Sequence, residues 1–227
     1  MKLTNEVAME QNIIVSVDVV LFTLSEGQLK IVLLRRERDP YAGQLALPGG
    51  YIHADKDRDS LASAERVLLN KTGLVSPYLE QLYTFSGGVR DPRGWSLSVA
   101  YYALVHESLL VPDAELRFEL WPVAAVPDLP FDHNRIVDHA AKRLRDKSTY
   151  TSLPCHLLPE LFTLTELQQT YEHILGVALD KSVFRRKLPE LDFLEAVPDA
   201  IRQGKHRPAQ LYRLRPDRRL TIFDKPV

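Results

Sequence analysis

The sequence predicts two domains: a mixed α/β (α+β) sandwich over residues 1–149, then a smaller unit of short helices closed by a basic β-hairpin over residues 150–227. Three observations predict it. A chain of 227 residues is long for one average domain and sufficient for two cores. The hydrophobic texture changes near Leu153, from strands alternating with long helices to closely spaced short helices. Charge is also unevenly placed: the net charge is −1, yet residues 181–219 carry 11 Lys+Arg against 5 Asp+Glu, while residues 1–149 carry 17 against 20. A basic excess gathered near one end is the footprint of a module that binds an anionic polymer.

The first elements follow from periodicity. Asn12 to Leu24 is rich in β-branched residues, and after Ser25-Glu26-Gly27 the stretch Leu29 to Leu34 repeats the pattern, so a β-hairpin is expected. Ser16, Asp18 and Thr23 interrupt the apolar run, which excludes a membrane span; the polar N-terminus excludes a signal peptide, and a cytoplasmic protein is expected. Beyond Gly49-Gly50, Leu61, Ala64 and Leu68 at helical spacing predict a helix from Ser60 to Lys71, with Asp59 as N-cap and Gly73 as stop. Strands are expected at Glu80–Phe85 and Ser96–Val105, and a second long helix at Asn134–Lys147. Cys155 has no partner for a disulfide and no zinc-site spacing with His156, so it reads as a small core residue.

In the second domain, Leu153, Leu157, Leu158 and Leu161 suggest one helix. Leu164, Leu167, Tyr171 and Ile174 suggest a second, opened by the overlapping capping boxes Thr163-x-x-Glu166 and Thr165-x-x-Gln168 and closed by Gly176. A third begins at Asp180, buries Val183, Phe184 and Leu188, and should stop near Leu188 because Pro189 follows. Strands at Phe193–Val197 and Gln210–Arg215 flank a basic loop. Three short helices and such a hairpin describe a winged helix-turn-helix. Its third helix would present Lys181, Ser182, Arg185, Arg186 and Lys187 to DNA, and its wing Lys205, His206 and Arg207.

The segment Gly50 to Leu74 resembles the Nudix box. Leu47-Pro48-Gly49-Gly50, Arg66, Leu68, Gly73 and Leu74 match, but Val67, Asn70 and Lys71 stand at the three glutamate positions, and the loop before the helix is two residues longer than in the pattern. In the family those glutamates share one helix face and hold divalent cations, which need anionic oxygen ligands. Lys71 would bring a positive charge to the place of a metal. Asp55, Asp57, Asp59 and Glu65 could act as substitutes, although Glu65 lies roughly 200° around the helix from the first lost position. No metal and no catalytic residue are therefore expected.

Arg90-Asp91-Pro92-Arg93-Gly94, followed by Ser96 to Tyr101, resembles the corresponding stretch of ADP-ribose-directed Nudix proteins. With Pro130-Phe131-Asp132-His133, Phe162-Thr163-Leu164 through Tyr171-Glu172, and Phe184 to Leu188, the whole chain is similar to the NrtR family of Nudix-related regulators of NAD metabolism. The resemblance implies a dimeric repressor of NAD-biosynthesis or salvage genes that binds a near-palindromic operator and is released by ADP-ribose. It places the ligand at Arg36, Gly49, Gly50, Arg66, Arg90, Asp91, Arg93, Phe131 and His133. Two alternatives stand beside it: an active Mg-dependent ADP-ribose pyrophosphatase with an accessory domain, and a protein-interaction module on a silent Nudix scaffold. Loss of all three metal positions argues against the first, and the basic face of the 180–188 helix against the second.

Overall fold

The computed structural model describes residues 12–111, 118–203 and 208–224. Strand β1 (Ile14–Ser25) is its axis, pairing antiparallel with β2 (Gln28–Arg35) and β4 (Gly49–Tyr51) and parallel with β6 (Ser96–Leu104). The seven-stranded sheet is completed by β3 (Leu45–Ala46), β5 (Tyr78–Gly87) and β7 (Phe118–Pro122). Because successive side chains point to opposite faces, the apolar run of β1 supplies two cores. Val20 and Phe22 pack with helix α2 (His133–Ser148) through Ile136, Val137, Ala140 and Leu144. Val17, Val19 and Leu21 pack on the other face with Ala64, Val67 and Leu68 of helix α1 (Ser60–Thr72). The α/β sandwich is thus as expected. Asp59 caps α1 by accepting from the Ala62 amide, and Gly73 ends it at φ 70°.

The second unit holds α3 (Leu164–Leu175), α4 (Lys181–Leu191) and the hairpin β8 (Leu194–Arg202) with β9 (Ala209–Leu214). Phe162, Leu167, Tyr171, Phe184, Leu188 and Phe193 form its core. Of the two overlapping capping boxes, Thr163–Glu166 is the one that closes. Two expectations are corrected. The helix expected from Leu153 to Leu161 is a 3-10 turn at Leu153–Leu157; Pro154 suits a first turn, whereas Pro159 cannot continue a helix. Helix α4 runs past Leu188 to Leu191 with Pro189 inside it. The missing Pro189 amide removes one bond in the final turn, while Leu188 and Leu191 still pack against the core and Asp192, at φ 47°, ends the helix. The hairpin strands also shift slightly: β8 begins at Leu194 and extends to Arg202, and β9 starts at Ala209 and ends at Leu214.

The two units interlock. Leu153, Leu157 and Ile174, all from the C-terminal part, are buried in the α2-side core of the sandwich. The tail returns to the connection: the Phe223 amide donates to the Tyr150 carbonyl at 2.7 Å and the Ser152 amide to the Thr221 carbonyl at 3.0 Å.

Candidate functional site

Most residues expected to hold a ligand gather where β4, the loop between β5 and β6, and the N-terminus of α2 meet. Gly49 and Gly50 stand in β4 opposite Asp18 and Val17. Space is tight at both: a Cβ on Gly49 would lie 2.1 Å from Asp18 Oδ1, and one on Gly50 would lie 3.0 Å from Val67 Cγ2. Val67, at the first lost glutamate position, is thus a buried core residue, whereas Asn70 and Lys71 are exposed.

The expected arginines differ in what they already hold. Arg66 donates to both oxygens of Asp57 at 2.6 Å and to the Tyr51 carbonyl at 3.0 Å. That bidentate pairing holds the Asp57 carboxyl well below the usual carboxylate range. Arg90, with its side chain 7% exposed, donates to Asp132 Oδ1 from Nε at 3.0 Å and from its terminal nitrogen at 2.7 Å, and to Ser96 Oγ at 3.1 Å. Arg93 pairs with Asp91 at 2.6 Å, reaches the Tyr51 hydroxyl, and lies 5.9 Å from the Phe131 ring centroid. Arg36 stacks over the same ring at 4.8 Å and donates to the backbone carbonyls of Pro40 and Arg38. Burial, then the like charge of Arg93, depresses the Arg36 guanidinium. Two guanidiniums converging on one aromatic ring form a place suited to an anion. Tyr41 closes the ring's edge at 5.1 Å, and Phe131 itself sits at φ 59°, a strained conformation for a non-glycine residue.

His133 is buried beneath this surface. Its Nδ1 accepts from the Leu47 amide at 3.1 Å, which places its proton on Nε2, 3.5 Å from Asp18 Oδ1. Sequence reasoning missed Asp18, Tyr41, Tyr51 and Asp132. Asp18 was visible only as a break in an apolar strand, and Asp132 as part of a motif with no assigned role.

Asp57 is paired with Arg66, Asp59 caps α1, and among the described residues no group of three or more His, Cys, Asp and Glu side chains is placed to hold a metal ion.

In the C-terminal unit, Lys181, Ser182, Val183, Arg185 and Arg186 are exposed on α4, opposite Phe184 and Leu188; Lys187 is half-buried at its flank. Val183, expected inside, is 39% exposed. The Arg185 guanidinium donates to Thr165 Oγ1 of α3 at 3.1 Å. Much of the basic excess elsewhere is neutralised locally: Arg202 pairs with Glu166, Arg213 with Glu195, and Arg215 and Arg218 with Asp192. Lys205, His206 and Arg207 lie outside the described residues. No helix among the described residues is long and apolar enough to cross a membrane.

A Nudix-like sandwich with arginines gathered around Phe131, joined to a winged helix with a basic exposed helix, is the architecture of a ligand-binding domain joined to a DNA-binding one. Comparison with known proteins agrees with that class. Residues 154–214 match the NrtR DNA-binding winged helix domain. An ADPR-responsive transcriptional repressor of Acinetobacter baylyi is 42% identical over 204 residues, which cover 88% of this chain and 81% of the relative. The crystal structure of Shewanella oneidensis NrtR complexed with a 27mer DNA superposes with a TM-score of 0.88 at 36% identity, covering 94% of this chain and 99% of that one. The Nudix domain of the same Shewanella protein, complexed with ADP ribose, matches at TM-score 0.52 and 35% identity over 59% of this chain and 90% of that one. The chain belongs to the NrtR family of Nudix-related transcriptional regulators.

Proposed function

We propose that this chain is a transcriptional repressor of NAD-biosynthesis or salvage genes that binds operator DNA through its winged helix and releases it when ADP-ribose occupies the Nudix-like domain. The observation that carries the reading is the convergence of Arg36 and Arg93 on Phe131, beside Gly49-Gly50, in a Nudix scaffold whose metal positions hold Val67, Asn70 and Lys71. A diphosphate is the anion two guanidiniums can share, and an aromatic face suits a flanking ring. The relatives support the choice of ADP-ribose and of duplex DNA. Gly49, Gly50 and Asp91 shape the pocket, Arg36, Arg93 and Phe131 contact the ligand, and Arg66, Arg90 and His133 hold the walls in place. Binding needs no metal, and the domain does not hydrolyse its ligand. Lys181, Ser182, Arg185, Arg186 and Lys187 enter the major groove, with Lys205, His206 and Arg207 on the backbone or minor groove. The repressor acts in the cytoplasm as a homodimer on a near-palindrome.

Electrophoretic shift of the gene's own upstream DNA, with and without ADP-ribose, tests this directly. A retarded complex dissolved by ADP-ribose is expected. Steady AMP release from ADP-ribose and magnesium, with no DNA shift, would instead establish the pyrophosphatase reading.

A further inference from the structure

We propose that Asp18 is the positioning residue of the ligand pocket, acting on an anionic ligand through Arg90, His133 and the Gly49–Gly50 strand without touching the ligand. The inference rests on the ADP-ribose reading above.

Asp18 occupies the centre of β1, where Val17, Val19, Val20 and Leu21 are fully buried, and is itself 6% exposed. The sheet has no need of it. A buried carboxylate is costly to desolvate, and buried ionic sets are often no more stable than apolar side chains of the same volume. What Asp18 does have is partners from each wall of the pocket. Ser98 Oγ of β6 donates to Oδ2 at 2.6 Å, His133 Nε2 of α2 lies 3.5 Å from Oδ1, and Arg90 of the β5–β6 loop lies 3.8 Å from Oδ2. The fourth wall, β4, comes so close that a Cβ on residue 49 would lie 2.1 Å from Asp18 Oδ1. Burial pushes this carboxyl up, but His133, Ser98 and Arg90 together outweigh burial and hold it below its ordinary value.

The geometry makes a prediction with an unexpected sign. A negative charge beside an anion site should weaken anion binding, so by Coulomb's law alone its removal should tighten ADP-ribose. If Asp18 instead holds Arg90 and His133 in place, its removal should loosen the pocket and weaken the ligand. Arg90 would transmit that effect, since its guanidinium also ties Asp132, the first residue before α2, and Ser96.

The test is calorimetric titration of the full chain with ADP-ribose, comparing the parent with Asp18→Asn, Arg90→Gln, the double variant and Ser98→Ala. Asp18→Asn should weaken binding about tenfold, as loss of a hydrogen bond to a charged group typically does. The double variant should lose less than the product of the two single losses, because residues that act partly through one arrangement are not additive. A purely structural role would multiply the two losses, and that result overturns the proposal, as would unchanged or tighter binding by Asp18→Asn. Should Asp18→Asn fail to fold, Ser98→Ala carries the decision: a several-fold loss supports the positioning role, and unaltered affinity overturns it. A parent protein that does not bind ADP-ribose defeats the functional reading and this inference together, whereas a parent that binds beside an equally competent Asp18→Asn defeats this inference alone.

Discussion

An arginine serves an anion only with whatever its guanidinium has not already engaged, and the four pocket arginines divide on that basis. Arg66 and Arg93 are bound bidentately by Asp57 and by Asp91, Arg90 directs two nitrogens at one oxygen of Asp132, and Arg36 donates only to backbone carbonyls. Arg36→Gln should therefore weaken ADP-ribose by about 10–100-fold, the range set by one or two hydrogen bonds to a charged group, with little change in thermal midpoint. Arg66→Ala should show the opposite balance, lowering the midpoint because Asp57 is left unpaired; calorimetry and a melting curve on both variants check this. Asp18 yields a pH prediction. Its pKa is lowered in the folded chain, so it binds its proton more readily when unfolded, where the value is about 3.9. The stabilisation is therefore complete above that value and is lost as pH falls through the lower, folded value. Urea midpoints of the parent and of Asp18→Asn should differ at pH 7 and converge under acid conditions; a constant gap would show that the charge contributes nothing. The sequence could not reveal this role, because nothing local to the Val17–Leu21 run states that Arg90 and His133 fold back onto it. The arginines were legible as candidates, but not which of them were already paired.

At the level of elements, legibility followed local chemistry. Helix α1 was readable to within a residue because its signals are short-range: Asp59 accepts the Ala62 amide, and Gly73 takes the left-handed turn. The Thr163–Glu166 capping box was readable for the same reason. Pro189 misled because the rule against proline concerns helix interiors, and here the residue falls in the final turn of α4, where Leu188 and Leu191 still gain burial. The 153–161 stretch misled because its leucines belong to two cores: Leu153 and Leu157 face the sandwich, whereas Leu158 packs with the winged helix. Helix α4 has its own prediction. Arg186 and Ser182 lie at the centre of its exposed face, and Arg185 is steadied by Thr165 of α3. Arg185→Ala with Arg186→Ala should cost about 1–3 kcal/mol for each arginine that reads a base, or lower the salt slope by about one for each that holds a phosphate. Operator titrations at several salt concentrations separate the two cases, and undiminished binding would remove α4 from the groove. Thr165→Ala should reproduce a small part of the Arg185 effect while leaving that of Arg186 intact.

For the whole molecule, the question is how a pocket in the sandwich can influence a helix in another unit. The connection is mechanical and continuous. Helix α2 begins at the pocket, where His133 is buried against Asp18 and Asp132 holds Arg90, and ends at Lys147 and Ser148, where Lys147 binds Glu80 and Tyr78. Tyr78 stacks on His156 of the 3-10 turn, and Ile174 of α3 is buried in the same core as Ile136, Ala140 and Leu144 of α2. Helix α2 thus shares a core with α3, on which α4 packs through Tyr171 and Phe184. Contact alone does not produce regulation, since a ligand that binds two arrangements equally shifts neither. The repressor reading requires ADP-ribose and operator DNA to prefer different arrangements, with a coupling of about 1–3 kcal/mol, or roughly a 5–150-fold change in affinity. Linkage makes the requirement reciprocal: saturating operator must weaken ADP-ribose by the same factor by which ADP-ribose weakens operator. Calorimetric titration of ADP-ribose into the free chain and into its operator complex measures one factor, and operator titration at zero and saturating ADP-ribose measures the other. Lys147→Met, which lies in neither binding surface, should shrink both factors together. Equal affinities in every state would leave a DNA-binding protein whose Nudix-like domain answers to a different ligand, while two unequal factors would mean that a third equilibrium, such as subunit association, carries part of the coupling.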